Sequence, residues 1–208
     1  MKKTANKRTR ILVLILIGIV LLAGIVTLLL LRENGVLSRR EALVFLETPD
    51  KVSVSDREPF SLALYLSDLG EALYPAASFS ICFDAANLEF LGIAEGNVRT
   101  LGGQGDSPYR LPTWSVNVAR SNETGKINLM YLDTTGGKYA FTRAALSEED
   151  NILLYLNFRL RGSVRAGDVY ELYFEDAVFA ASDETQSLAM SRDTLRTKSG
   201  RIVIGDAT

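Results

Sequence analysis

Acidic side chains are the chain's main source of reactive chemistry. They cluster at Glu148-Glu149-Asp150, Glu175-Asp176 and Asp183-Glu184. Hydrolysis of a glycosidic bond needs two carboxylates facing a bound sugar across a cleft. Neighbours on a strand point to opposite faces, so Glu175 and Asp176 do not make such a pair by themselves. The Asp-x-Asn/Asp-x-Asp-Gly spacing of a calcium loop is missing. The three clusters are therefore expected as solvated loops beside turns. The chain has no histidine and one cysteine, Cys82. Without histidine the commonest general base and the commonest metal ligand are both gone, and a Ser-His-Asp or Cys-His site cannot form. A single cysteine makes no internal disulfide. The expectation is a non-enzyme with no catalytic residue, metal site or cofactor of its own.

Binding chemistry is better represented. Trp114, Tyr109 and Tyr139 are candidates for stacking on sugar rings. Trp114 stands at the start of an expected strand, where core is the commoner fate of a lone Trp, and both roles stay open for it. Tyr109, between Pro108 and Pro112, is expected exposed on a long loop. In segment 126–133, Ile127, Leu129 and Tyr131 alternate with Asn128, Met130 and Leu132, and the first set is the expected core. Met130 and Leu132 then form an outward apolar patch, a mark of protein-binding faces, unless residues 99–112 fold over them. Cys82 alternates in phase with Ser78 and Ser80, either as a small buried hydrophobe or as an accessible thiol.

The elements that position these residues have a period of two. Strands are expected over 43–46, 60–66, 76–83, 88–93, 114–118, 126–133, 152–161, 169–174, 177–181 and 201–204. Turn residues separate them at 84–87, 122–125, 134–137, 165–168 and 198–200. Segment 139–150 has room for one helical turn capped at Ser147-Glu148-Glu149, and 99–112 reads as one long loop. Short strands at this spacing predict an all-β domain, a β-sandwich, over residues 42–206.

Ahead of it stands a different kind of segment. Residues 11–31, ILVLILIGIVLLAGIVTLLLL, carry no charge and no proline. At about 1.5 Å per helical residue they span roughly 30 Å, the hydrocarbon thickness of a bilayer. Lys2, Lys3, Lys7, Arg8 and Arg10 precede them, with no acid, which keeps residues 1–10 cytoplasmic by the positive-inside rule. No Ala-x-Ala site follows, so an uncleaved signal anchor is favoured over a signal peptide. Residues 32–41 form a short polar stalk, and the domain is expected outside a bacterial, Gram-positive-type cell. Residues 33–208 hold 17 basic and 25 acidic side chains, a net charge of −8, which argues against nucleic acid and anionic headgroups as partners.

The order of strands and turns resembles the cohesin domains of bacterial cellulosomes. Phe83-Asp84-Ala85-Ala86-Asn87-Leu88-Glu89-Phe90 looks like the family's Tyr-Asp-Pro-x-x-Leu-Glu turn, and Ile93-Ala94-Glu95-Gly96 fits the glycine that ends its next strand. Gly125-Lys126-Ile127, running on to Asp133 and residues 134–139, resembles the family's Gly-x-Ile…Asp strand and its glycine turn. Segment 152–161, Ala166-Gly167 and Gly200-Arg201-Ile202-Val203-Ile204 stand where the late strands fall. The resemblance implies a jelly-roll β-sandwich related to certain carbohydrate-binding modules. It also implies a non-catalytic role: docking a dockerin module on a secreted polysaccharide-degrading enzyme or scaffold, with any calcium belonging to that partner. The partner-binding residues it implies are Ala76, Ser78, Ser80, Met130 and Leu132, with Thr134, Thr135 and Gly136 at the rim. Here the chain departs from the family, whose matching positions are commonly polar and whose aspartate matching Asp133 commonly follows an acid. Direct carbohydrate binding, or a structural subunit of a membrane machine, are the alternatives.

Overall fold

The alternation of bulky and small residues is realised as two sheets that bury one face each. The computed structural model describes residues 42–47, 51–53, 58–102, 109–147, 150–182 and 195–206. The apolar run 11–31, the basic tail, the stalk, Glu148-Glu149 and Asp183-Glu184 lie outside the described residues. No helix among the described residues is long and apolar enough to cross a membrane.

In chain order the strands are β1 (Leu43–Leu46), β2 (Val52–Ser53), β3 (Phe60–Leu66), β4 (Ala76–Cys82), β5 (Leu88–Glu95), β6 (Thr100–Leu101), β7 (Tyr109–Arg110), β8 (Lys126–Leu132), β9 (Ile152–Leu160), β10 (Val169–Ala180), β11 (Arg196–Lys198) and β12 (Gly200–Gly205). One helix, α1 (Val118–Thr124), precedes β8. The first sheet has the order β11-β1-β3-β9-β5 and the second β2-β12-β10-β4-β8, with β6 and β7 a separate pair. Successive strands of the two large sheets always lie in opposite sheets. That crossing at every connection is the winding of a jelly roll, as expected from the resemblance.

The core lies between the sheets. Ala77, Phe79 and Ile81 of β4, with Ile127, Leu129 and Tyr131 of β8, face Leu62, Leu64, Leu156 and Phe158 of the other sheet, all buried. Aromatic rings fill both ends. Phe79, Phe141 and Phe179 pack edge to face with Tyr74 and Tyr131 at one end, and Phe83, Phe90 and Phe158 at the other. Each fully buried Phe stabilises the fold by about 1.5–3 kcal/mol. Gly96 ends β5 where the chain passes against β9, and a Cβ there would meet the Ile152 carbonyl oxygen at 2.0 Å.

Four local expectations are corrected. Residues 114–118 are not a strand; Ser115 alone bridges Met130, the chain then enters α1 at Val118, and the expected turn 122–125 is the last turn of that helix and its glycine stop. Asn117 caps that helix by accepting the Arg120 N–H at 2.9 Å, and Gly125, at φ 67°, ends it in the left-handed region. The two strands expected over 169–181 are one, because a bulge between Phe174 and Asp176 lets β10 continue past the break in its alternation. The helical turn within 139–150 is a 3-10 turn at Arg143–Ala145; Ser147 does not cap it but bonds Asn151, its N–H donating to Oδ1 at 2.7 Å. Within 99–112, β6 and β7 pair antiparallel instead of forming one loop. Edge strands β2 and β11, which are too short for periodicity to reveal, add parallel pairings to β12 and β1.

Candidate docking face

The outer face of the second sheet is built from β4, β8 and β10. Register places Leu132, Ala76 and Ala180 on one rung, and Met130, Ser78 and Val178 on the next. Below them come Asn128, Ser80 and Asp176, then Lys126, Cys82 and Tyr173. Burial confirms the strand phase: Ile127, Leu129 and Tyr131 are buried, while Met130 and Leu132 are 53% and 59% exposed. The described part of 99–112 does not cover them. Ala76, Ser78 and Ser80 keep the middle of the face flat, and Ser80 Oγ donates to Asn128 Oδ1 at 2.8 Å. Leu73, 41% exposed, adds to the apolar end.

The outer edge of β8 is closed at its centre. Ser115 N–H donates to the Met130 carbonyl at 2.8 Å, and Met130 N–H returns a bond to the Ser115 carbonyl at 3.0 Å. This part of the sheet thereby presents a face of side chains more than a free strand edge. The far edge of the other sheet is sealed differently: the Asn122 amide of α1 accepts the Phe90 N–H and donates to the Phe90 carbonyl, both at 2.8 Å.

The rim turn is organised by Asp133. Its Oδ1 accepts the Thr135 N–H at 2.9 Å and the Thr135 hydroxyl at 2.5 Å, and its Oδ2 accepts the Tyr139 N–H at 2.9 Å. Thr134, Thr135 and Gly136 stand exposed on this turn. Burial works to raise the Asp133 carboxyl, but the bonds from the Thr135 hydroxyl and from the Tyr139, Thr135 and Gly137 amides outweigh it and hold it below the ordinary carboxylate range. Its folded value being depressed, the stability it contributes is full above its unfolded value of about 3.9 and is lost as pH falls through the lower folded value. Asp133→Ala is expected to cost about 1–3 kcal/mol at neutral pH, by removing three charge-assisted hydrogen bonds from part-buried donors. Thermal melting against pH checks this: the gap between wild type and variant should narrow below pH ~4.

The three sugar-stacking candidates have different surroundings. Trp114 is half-buried in the aromatic cluster, with ring centroids 5.6 Å from Phe79 and 5.8 Å from both Tyr131 and Phe141. Its packed faces belong to the aromatic cluster of the core, one of the two roles left open for it. Tyr139 has the Arg110 guanidinium over its ring at 3.7 Å. Tyr109 lies in β7, half-exposed, with its hydroxyl directed at the Ala144 carbonyl. Cys82 is not a buried hydrophobe; it is half-buried on the outer face, and its hydrogen bond with Tyr173 is the first cause raising that phenol.

Glu175 and Asp176 sit at the β10 bulge, within a strand and not beside a turn. The bulge turns both toward solvent, where plain alternation would have separated them. Glu175 forms an ion pair with Lys126. The cleft beside them, lined by Phe174, Glu175, Asp176, Ala177 and Thr197, holds about 130 Å³, below the ~300 Å³ of ordinary small-molecule sites. No cluster of three metal-ligating side chains forms among the described residues. The β10 contribution to the face, Tyr173, Asp176 and Val178, was not expected from the sequence. The bulge shifts the outward set from odd to even numbers, so one alternation pattern does not describe it.

Solved structures share this fold. The fold is that of the cohesin modules. The seventh ScaB type I cohesin from Pseudobacteroides cellulosolvens aligns at a TM-score of 0.56 with 16% identity, covering 80% of this chain and 94% of that one. The Coh-OlpA–Doc918 complex, a type I cohesin–dockerin complex from Clostridium thermocellum, aligns at 0.58 with 16% identity, covering 79% and 99%. A non-cellulosomal cohesin from the archaeon Archaeoglobus fulgidus aligns at 0.51 with 11% identity, covering 79% and 91%. No family model and no curated protein matches the sequence. At these identities the cohesin likeness is one of fold, and the share of this chain that it covers is the size of the domain and not of the N-terminal segment.

Proposed function

We propose that the chain is a non-catalytic docking module of the cell surface. Residues 11–31 hold it in the membrane, and the outer face of the second sheet binds a dockerin-like helical module carried by a secreted polysaccharide-degrading enzyme or scaffold. The observation that carries this reading is the exposure of Leu132 and Met130, 59% and 53%, beside the small residues Ala76 and Ser78 of a flat sheet. A solvated strand face usually carries Lys, Glu or Thr; an apolar patch rimmed by polar groups is what protein partners bury. The cohesin fold supports the same reading, since a C. thermocellum cohesin aligned here is in complex with a dockerin. Any calcium belongs to the partner. The net charge of −8 over residues 33–208 sets nucleic acid aside.

One experiment tests both halves of the proposal. Fluorescent dockerin modules are added to intact cells making the full chain, before and after external protease. The expected result is surface labelling that protease removes, leaving a membrane-bound N-terminal fragment. Binding seen only after the cells are opened would contradict the topology. No binding even to the detergent-solubilised chain would contradict docking.

A further inference from the structure

The outer face of the second sheet is polar at one end and apolar at the other. In its upper two rungs stand Leu132, Ala76, Ala180, Met130, Ser78 and Val178, with no charge. In the lower half Lys126 is bound to Glu175, and Asp176 projects beside them. Asp176 accepts the N–H of Ala177 at 3.0 Å and enters no ion pair among the described residues. This half therefore presents one carboxylate beyond its single ammonium, on a domain that is itself acidic.

Resting on the docking reading above, we infer that the partner lays an amphipathic helix along these strands in one direction, with apolar side chains over Leu132 and Met130 and a Lys or Arg over Asp176. The reverse direction places the partner's cation on the apolar rungs and leaves Asp176 under an apolar side chain. Both are desolvated charges without a counter-ion, the arrangement that discriminates against a wrong pose. The geometry sets a spacing. Four residues separate the Leu132 and Asn128 rungs on β8, about 14 Å of strand. On a helix aligned with the strand, the same-face positions nearest that span are about seven or eleven residues apart, at roughly 1.5 Å per residue. The flat middle, Ser78 and Ser80, lets the helix approach closely.

The test uses a dockerin module displayed on phage, its helix-surface positions randomised, selected on the full chain in detergent. Selected clones should carry Lys or Arg at one recurring position, set apart from an apolar stretch by that spacing. They should lose roughly tenfold or more in affinity on Asp176→Lys and less on Asp176→Asn. Selection on Asp176→Lys should bring Asp or Glu to the same position. Asp176 is exposed and Asp176→Asn keeps an acceptor for the Ala177 N–H, so its melting temperature should not move. Asp176→Lys loses that one bond and should melt only a few degrees lower, still fully folded at the binding temperature. Clones that require Leu132 but ignore Asp176→Lys overturn this inference and leave the docking face standing. Clones that ignore both residues, or no clones at all, overturn the docking face and the inference with it.

Discussion

Phe79→Ala is expected to cost about 3–5 kcal/mol of folding stability, because it empties a ring-sized volume that the neighbours cannot refill. Phe79 is 1% exposed and sits between Phe179, at 5.7 Å, and Trp114, at 5.6 Å. Those rings touch Phe141 in turn, at 5.4 and 5.8 Å, so the cavity opens at the centre of one aromatic cluster. Collapse around it is resisted by strands on both sides, since β4 is hydrogen-bonded to β8 and to β10. For a domain of this size each kcal/mol moves the melting temperature by about 2–4 °C, so a fall of roughly 6–20 °C is expected. Urea melts read the same loss as a shift in midpoint with an unchanged slope. A loss below about 1 kcal/mol would mean that β4 turns its Ser78 and Ser80 side inward, and the face described above would not exist.

Much of this was legible in the sequence, for a physical reason. A strand with one buried face must alternate, and β4 and β8 do so without interruption. Their core set and outward set follow directly. The fold was legible in the order of strands and turns. What was not legible has specific causes. Helix α1 is only seven residues long. Its cap, Asn117, fell inside the expected strand 114–118, and Gly125, past its end, was read as turn chemistry because a glycine serves both a turn and a helix stop. The bulge in β10 reverses the outward phase partway along one strand, which hid Val178 and Asp176 from the face and split the strand in two. Trp114 follows no periodicity, so its packing against Phe79, Tyr131 and Phe141 was not legible. Edge strands β2 and β11 are two and three residues long, and their pairing is decided by distant partners.

The second large effect falls on binding and leaves folding alone. Leu132 is 59% exposed and shares its rung with Ala76 and Ala180, neither of which competes for contact with a partner. On docking, the Leu132 side chain would be desolvated against a partner's apolar side chains, as an anchor near the apolar end of the face. Losing such an anchor typically costs about 2 kcal/mol or more, roughly 30-fold or more in affinity at 1.4 kcal/mol per decade. Leu132→Asp does more than remove it, since the new carboxylate would be buried without a counter-ion. Binding should be abolished over the accessible concentration range. The fold should survive, because the side chain is exposed on the outer face and the strand's inward set, Ile127, Leu129 and Tyr131, is unchanged. The measurement is paired: calorimetric titration of the full chain with a dockerin module that the wild type binds, and thermal melting of the same Leu132→Asp sample. Lost binding with an unchanged melting temperature is the predicted result. Wild-type affinity in the variant would contradict the docking face, and a melting temperature that falls by as much as in Phe79→Ala would place Leu132 in the core.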